Sequence, residues 1–297
     1  MAMAASPRVG ELMRASGLPT LEARMLLEHV LAVPRVWLIT HDAHVPTARQ
    51  AERFQTLCER RREGWPMAYL TGHREFMGRD FEVTPSVLIP RPETELLAET
   101  AIAELAPRSA PLLLDLGTGS GAIAVSVALA CPHARVVATD RSVEALSVAR
   151  VNARRLRARV TFHEGDWYDA LPEGNGDFGL AFDLIVSNPP YVVAGDSHLI
   201  RGDLRFEPSA ALIGGADGLC ALRAIVGGAR RWLRRGGRLW VEHGWDQAAA
   251  VRGLLHARGF TEVESRRDLA GIERISGGVA AMRPPSNSSF DTEVELP

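Results

Sequence analysis

Apolar residues along the chain recur first at helical spacing and later in short β-branched runs, and this change of period divides the sequence. Val9 to Ala15 reads as a short opening helix. Leu21, Met25, Leu26, Val30 and Leu31 follow Thr20, which predicts a helix with Thr20 as its N-cap. Thr47 and Gln50 have capping-box spacing ahead of a helix carrying Ala51, Phe54 and Leu57 on one face. Residues 1–75 thus read as a small N-terminal bundle of about four helices. From Tyr69 to Val83 the pattern changes: Gly72 and Gly78 punctuate Phe76, Phe81 and Val83, as in a β-hairpin. Residues 76–92 are expected to hold this hairpin and a linker. Leu88-Ile89-Pro90-Arg91-Pro92-Glu93-Thr94-Glu95 then leads into a helix, with Pro92 in its first turn and Glu93 and Glu95 at the positive end of its dipole. Arg91, held stiffly between two prolines, is a candidate to line a site.

From residue 110 strand and helix alternate. Leu112 to Leu116 is a strand, Ala122 to Ala130 a helix, and Val136 to Thr139 a second strand. Ser142 caps a helix to Leu156, and Val160 to His163 is a third strand. Phe182 to Ser187 is a fourth, stopped by two prolines that have no N–H to donate. A helix from Gly218 to Arg235, a strand from Arg238 to Glu242 and a helix from Asp246 to Arg258 follow. Residues 261–264 and 272–281 read as a closing β-hairpin. The fold class is therefore α/β: a Rossmann-like, doubly wound sheet over residues 93–284 with a closing antiparallel hairpin, preceded by the small helical bundle. Residues 285–297, rich in Pro, Ser and Asn, read as a disordered tail.

Composition narrows the class. With 297 residues, 46% hydrophobic and 24% charged, the chain has room for one large α/β domain and a smaller one. A net charge of −2 disfavours a protein that works by laying a basic face on nucleic acid. Every basic residue but histidine is Arg and none is Lys, a bias that makes Arg counts weak evidence of function. Cys58, Cys131 and Cys220 form no C-x-x-C pair, which points to a reducing compartment without a disulfide framework. No basic segment leads into an apolar one near Met1, and the stretch from Gly121 to Cys131 is too short to span a bilayer. A cytoplasmic protein without membrane contact is the expectation. His41-Asp42-His44 sits in a short connection without further ligands nearby, so it is read as a solvated loop, and no metal site is expected. The Arg150, Arg154, Arg155, Arg157 and Arg159 cluster, and Arg230, Arg231, Arg234 and Arg235, read as solvated helix faces.

The candidate chemistry collects where strands end. Gly117-Thr118-Gly119-Ser120-Gly121, between a strand and a helix, lets a ligand approach the backbone at the positive end of the helix dipole. Gly117, Gly119 and Ala122 also satisfy a loose dinucleotide pattern, and Asp140 suits the hydroxyls of a ribose, so NAD and S-adenosylmethionine both fit this stretch. Asp166-Trp167 is placed to embrace an adenine, and Asp115 to hold a cationic end. Asn188-Pro189-Pro190-Tyr191 follows the fourth strand. The Asn188 side-chain oxygen and the Pro189 carbonyl can accept both hydrogens of a planar –NH2 group, and Tyr191 can lie against it. Such a nitrogen is a poor nucleophile until its lone pair is aimed and its developing charge stabilised. The bland reading of the tetrapeptide is a rigid turn. No acid or base for hydride transfer is apparent, which disfavours the dehydrogenase.

The ordered set Asp115 to Gly121, Asp140, Asp166-Trp167 and Asn188 to Tyr191 resembles the class I S-adenosylmethionine-dependent amino-methyltransferases. More narrowly, Tyr69 to Gly72, Glu75-Phe76, Leu88 to Glu95, Glu207-Pro208, Gly214-Gly215, Glu242-His243-Gly244 and Asp268 to Gly271 resemble the bacterial glutamine methyltransferases of class-1 peptide chain release factors, the PrmC or HemK family. The resemblance runs from about residue 8 to about residue 280. It implies methylation of the glutamine amide in a Gly-Gly-Gln motif, with S-adenosylhomocysteine as product and N-terminal helices that grip the release factor. It implies cofactor contacts at Gly117, Thr118, Gly119, Ser120, Gly121, Asp140, Asp166, Trp167 and Asn188, and catalysis at Asn188, Pro189, Pro190 and Tyr191. Adenine or cytosine in DNA or RNA, another protein amide, and a non-catalytic scaffold are the competing readings. A nucleic-acid substrate needs a basic, aromatic-rich recognition region, which is not apparent, so no direct nucleic-acid binding is expected.

Overall fold

Helical spacing of Leu26, Leu27, Phe54 and Leu57 gives the N-terminal region a single shared core, in which each fully buried Leu or Phe stabilises by ~1.5–3 kcal/mol. The computed structural model describes residues 7–171, 182–200 and 202–281; the expected tail at 285–297 lies outside them. Five helices surround that core: α1 (Val9–Ala15), α2 (Thr20–Leu31), α3 (Arg35–Thr40), α4 (Ala48–Arg62) and α5 (Met67–Thr71). Two expectations need correction here. Pro19, not Thr20, is the N-cap of α2, because the Pro19 carbonyl already accepts the Ala23 N–H. Tyr69 to Thr71 belong to α5, which Gly72 ends in a left-handed conformation at φ +79°. The hairpin therefore starts at His73, ahead of the 76–92 segment expected to contain it, and pairs β1 (His73–Phe76) with β2 (Arg79–Glu82). The Thr47 capping box is present as read. The His41 ring stacks on Trp37 at 4.3 Å, and the Asp42 and His44 carbonyls accept the first N–H groups of α1.

Pro92 opens α6 (Pro92–Leu105) with Arg91 as its N-cap. The remaining elements are β3 (Leu112–Leu116), α7 (Ala122–Ala130), β4 (Arg135–Asp140), α8 (Val143–Leu156), β5 (Val160–Glu164), β6 (Phe182–Ser187), α9 (Ser209–Leu212), α10 (Cys220–Trp232), β7 (Leu233–Glu242), α11 (Ala248–Ala257), β8 (Phe260–Arg267) and β9 (Glu273–Ala280). Helix α10 is shorter than read from the sequence. Leu233 pairs with Phe182 in the sheet, which puts Arg234 and Arg235 in β7 rather than in a helical last turn. Arg234 is ion-paired to Asp183 at 2.5 Å rather than merely solvated. Helix α11 begins at Ala248, since the Gln247 side chain is engaged with Gly244 and Tyr191.

The sheet order is β5-β4-β3-β6-β7-β9-β8, with β5 to β7 parallel and the β8–β9 hairpin antiparallel along the far edge. Strand order reverses between β3 and β6, the crevice where open α/β sheets bind ligands. Three rungs fix the site: Leu116 lies opposite Thr139 and opposite Ser187, and Ser187 opposite Val241. One residue further on, Asp140, Gly117, Asn188 and Glu242 form a row along the carboxyl edge. Asn152 of α8 ties the β-hairpin to this edge. Its side chain donates to the Ser120 and Glu82 carbonyls at 2.9 Å and accepts from the Glu82 N–H at 2.7 Å. Arg155 likewise holds Asp80 of the hairpin, so at least this member of the arginine cluster is structural.

Candidate active site

After β3 the backbone turns through left-handed glycines, Gly117 at φ +69°, Gly119 at +56° and Gly121 at +81°. A Cβ at Gly117 would stand 3.2 Å from the Trp167 ring, and one at Gly121 would stand 3.1 Å from the Ala149 Cβ. At Gly119 the same position is open space, so the peptide there is bare to the cavity. Asp115, expected to hold a ligand's cationic end, does not line the cavity. It is fully buried, its Oδ2 accepts the Thr118 hydroxyl at 2.7 Å, and burial pushes its carboxyl up to about 7. Its effect is to shape the loop from behind.

Asp140 ends β4 with both oxygens turned to backbone amides, Oδ2 to Gly119 N at 2.8 Å and Oδ1 to Ser142 N at 2.9 Å. Burial raises its pKa against the opposing pull of those N–H groups. Each oxygen keeps a lone pair for a further donor. Trp167, at φ +46°, starts a 3-10 turn (Trp167–Ala170) with its ring over Gly117.

Across the crevice, Asn188 donates from Nδ2 to Thr94 Oγ1 of α6 at 3.0 Å. The Thr94 hydroxyl also faces the Glu242 carboxyl closely enough to hold its pKa down against burial. Tyr191 donates its hydroxyl to Glu242 Oε1 at 3.3 Å, and burial raises the phenol pKa well above its usual value. Glu242, 1% exposed, is itself pushed up to about 7 by burial. The turn that carries the tetrapeptide is clamped by glycines. A Cβ at Gly214 would lie 2.6 Å from the Pro190 carbonyl, and one at Gly218 2.4 Å from the Tyr191 carbonyl. Val192 N–H bonds to Leu212 O, Gly214 N–H to Val192 O, and Gln247 Nε2 to Tyr191 O at 3.0 Å. The buried Glu207 carboxylate accepts the Ile89 N–H at 3.1 Å and pairs with Arg91.

One cavity of about 670 Å³ joins these groups. Its lining includes Thr118, Asp140, Asp166, Trp167, Asn188, Pro190, Thr94 and Arg91, together with Gly117, Gly119 and Ser120. Among the described residues, Gly121, Pro189 and Tyr191 do not line it; the Tyr191 hydroxyl donates to Glu242 Oε1 and its ring packs on the core behind β6. The bare peptide at Gly119, the spare lone pairs of Asp140 and the Trp167 ring suit a methyl donor bearing a ribose and a base. Arg91 lines the cavity as its stiff setting between prolines suggests. Sequence reading missed Thr94 as a cavity wall, and gave no role to Glu207 or Glu242. The available signal was positional, since Glu242 is an acid at the end of a buried strand.

Comparison with known proteins gives the same picture. Residues 9–72 match the PrmC N-terminal domain family, and residues 93–203 the methyltransferase small domain family. The chain is 59% identical to the release factor glutamine methyltransferase of Bordetella pertussis, over 90% of this chain and 97% of that one. It is 42% identical to the protein of that name from Salmonella typhimurium, over 90% and 94%. Among solved structures, a Pyrococcus furiosus methyltransferase superposes with a TM-score of 0.50 at 19% identity, covering 69% of this chain and 91% of that one. The T. thermophilus 16S rRNA N2 methyltransferase RsmC, in complex with AdoMet and guanosine, gives 0.50 at 22% identity over 70% and 49%. These two likenesses speak for the fold alone.

Proposed function

The chain belongs to the release factor glutamine methyltransferase family, and from that premise we propose that it methylates the glutamine side-chain amide of the Gly-Gly-Gln motif in class-1 peptide chain release factors. The product is N5-methylglutamine, with S-adenosylmethionine as donor. The observation that carries this reading is the Asn188 amide. Its Nδ2 is occupied by Thr94, which leaves Oδ1 as an acceptor in the cavity that also holds the glycine cradle. When bound, S-adenosylmethionine supplies an electrophilic methyl group. Gly119 and Asp140 are assigned to hold the donor's nucleoside and amino acid portions, with Asp166 and Trp167 at its base.

We assign to Asn188 Oδ1, and to the carbonyl of Pro189 between the cavity-lining Asn188 and Pro190, the orienting of the glutamine –NH2, the aiming of its lone pair and the stabilising of the positive charge that grows on nitrogen. Held by Asn188, the glutamine nitrogen would take the methyl group from the donor's sulfur, leaving S-adenosylhomocysteine, and would release its proton afterwards. Proximity and orientation supply much of the rate, so no strong base at the nitrogen is required.

We assign the N-terminal helices, residues 1–75, to gripping the release factor. Support comes from their attachment to the cavity rim. Arg61, bonded to Glu22 at 2.7 Å, reaches Asp203 at 3.4 Å, and Trp65 packs on Phe206 at 4.7 Å, beside the Glu207–Arg91 pair. A substrate of the translation apparatus puts the protein in the cytoplasm. Among the described residues no helix is long and apolar enough to cross a membrane.

Mass spectrometry of a purified class-1 release factor incubated with the protein and S-adenosylmethionine tests the reading. The expected result is one added methyl on the Gly-Gly-Gln glutamine, lost with Asn188→Ala. Methyl incorporation into DNA or RNA instead would transfer the assignment to a base amine.

A further inference from the structure

Asn188 has an orientation problem that its own position does not solve. An amide presents an oxygen on one side and an –NH2 on the other, in nearly the same shape. Only the form with Oδ1 toward the cavity can accept from a substrate –NH2; the flipped form would set two donors against each other. Thr94 alone does not choose, because a hydroxyl can donate to Oδ1 as readily as it accepts from Nδ2. The choice has to come from whatever fixes the hydroxyl hydrogen.

The structure supplies that group. Register places Glu242 beside Asn188, one residue past the Ser187–Val241 rung. The Thr94 hydroxyl lies near the Glu242 carboxyl, whose Oε2 is buried with no hydrogen-bond partner among the described residues, while Tyr191 already donates to Oε1. A carboxylate only accepts. Turned to that unpartnered Oε2, the Thr94 hydrogen would leave Oγ1 free only to accept from Asn188.

We propose that Glu242 is a positioning residue for Asn188: acting through the Thr94 hydroxyl, it locks the amide with Nδ2 inward and Oδ1 toward the substrate. This rests on the functional reading above as far as the substrate is concerned, but the amide lock itself is a property of the chain. Protonation would undo the lock, because a carboxylic acid can donate to Thr94 and release its hydrogen to Asn188 Oδ1. The charged and titratable groups around the carboxyl are Glu93 on α6, Arg274 on β9 and the Tyr191 hydroxyl. Burial pushes the Glu242 carboxyl up to about 7, so turnover is expected to rise with pH through that range.

The test uses the full chain and a release factor. Glu242→Gln and Thr94→Val should each lower kcat roughly 10- to 100-fold, with KM for the release factor and donor affinity within about twofold. The loss in the double variant should be no larger than in either single one, because both break the same relay. Thr94→Ser, which keeps the hydroxyl, should recover most of what Thr94→Val loses, and the acid limb near pH 7 should vanish in Glu242→Gln. A second readout needs no turnover. The Asn188 side-chain –NH2 signal in 15N NMR, identified by its loss in Asn188→Asp, should be exchange-protected in the unaltered chain and lose protection in both variants. Wild-type kcat in Thr94→Val, losses that multiply in the double variant, or unchanged Asn188 protection would overturn the lock. Absence of methyl transfer by the unaltered protein would overturn the functional reading alone, and the Asn188 signal would still decide the lock.

Discussion

The two halves of the cavity are built by different means. On the donor side, Gly117 and Gly119 present peptide groups, and Asp140 is held by two backbone N–H groups. On the acceptor side, Asn188 takes its orientation from the side chains of Thr94 and Glu242, which come from α6 and β7. A site made of backbone needs particular conformations over a few consecutive residues. A site made of side chains needs distant elements to arrive in register. The first is read along the sequence; the second is read across the sheet.

Crossing two substitutions gives the largest test of this division. Asn188→Ala should cut kcat roughly 100- to 1000-fold, the cost of losing one well-placed donor or acceptor at the reacting atom, with donor affinity within about twofold. Asp140→Ala should do the reverse. Loss of a charged acceptor should weaken donor binding roughly 10- to 100-fold, while kcat at saturating donor stays within about threefold. Calorimetric titration and steady-state kinetics on both variants check the crossing. If each variant lost turnover and donor affinity together, the two halves would be one unit.

A substitution outside the cavity lining sharpens it further. Gly218 sits at φ +72°, and a Cβ there would stand 2.4 Å from the Tyr191 carbonyl. Gly218→Ala should therefore push the turn that carries Asn188, at a strain of about 1–2 kcal/mol for the left-handed conformation. That corresponds to a roughly tenfold loss of kcat if it is expressed at the reacting group. Donor affinity should hold, since the glycine cradle hangs from β3 and α7. Equal kcat in the variant would show that the turn is fixed by Gln247 and the Val192 hydrogen bonds alone.

The same division explains what the sequence disclosed. The glycine-rich turn, Asp140 and the proline stop after β6 are local signals, since each turns on conformations that few residues adopt. They placed the sheet, its switch point and most of the candidate site. Thr94 looked like an ordinary residue in the first turn of a helix, and Glu242 like the polar end of a strand. Their meaning depends on which strands are neighbours. The role of Glu207 was hidden for the same reason, because its partners Ile89 and Arg91 are far away in the chain. Asp115 misled in the opposite sense. An acid beside a glycine loop suggests a ligand contact, yet the loop itself needed Asp115 to hold Thr118.

The smallest expected effect tests the donor side at its one large side chain. Trp167 starts its turn at φ +46°, an uncommon conformation for a bulky residue, with its ring packed against Gly117 and the core behind it. If the donor half is chiefly backbone, the ring contributes only the stacking of one aromatic pair, about 0.5–1.5 kcal/mol beyond its area. Trp167→Phe keeps an aromatic face, so donor affinity should fall by no more than about tenfold and kcat should barely move. A loss larger than that of Asp140→Ala would mean that the ring, not the peptide cradle, holds the donor. The cradle would then serve chiefly to make room for the ring, since Gly117 is the residue whose missing Cβ lets Trp167 lie where it does.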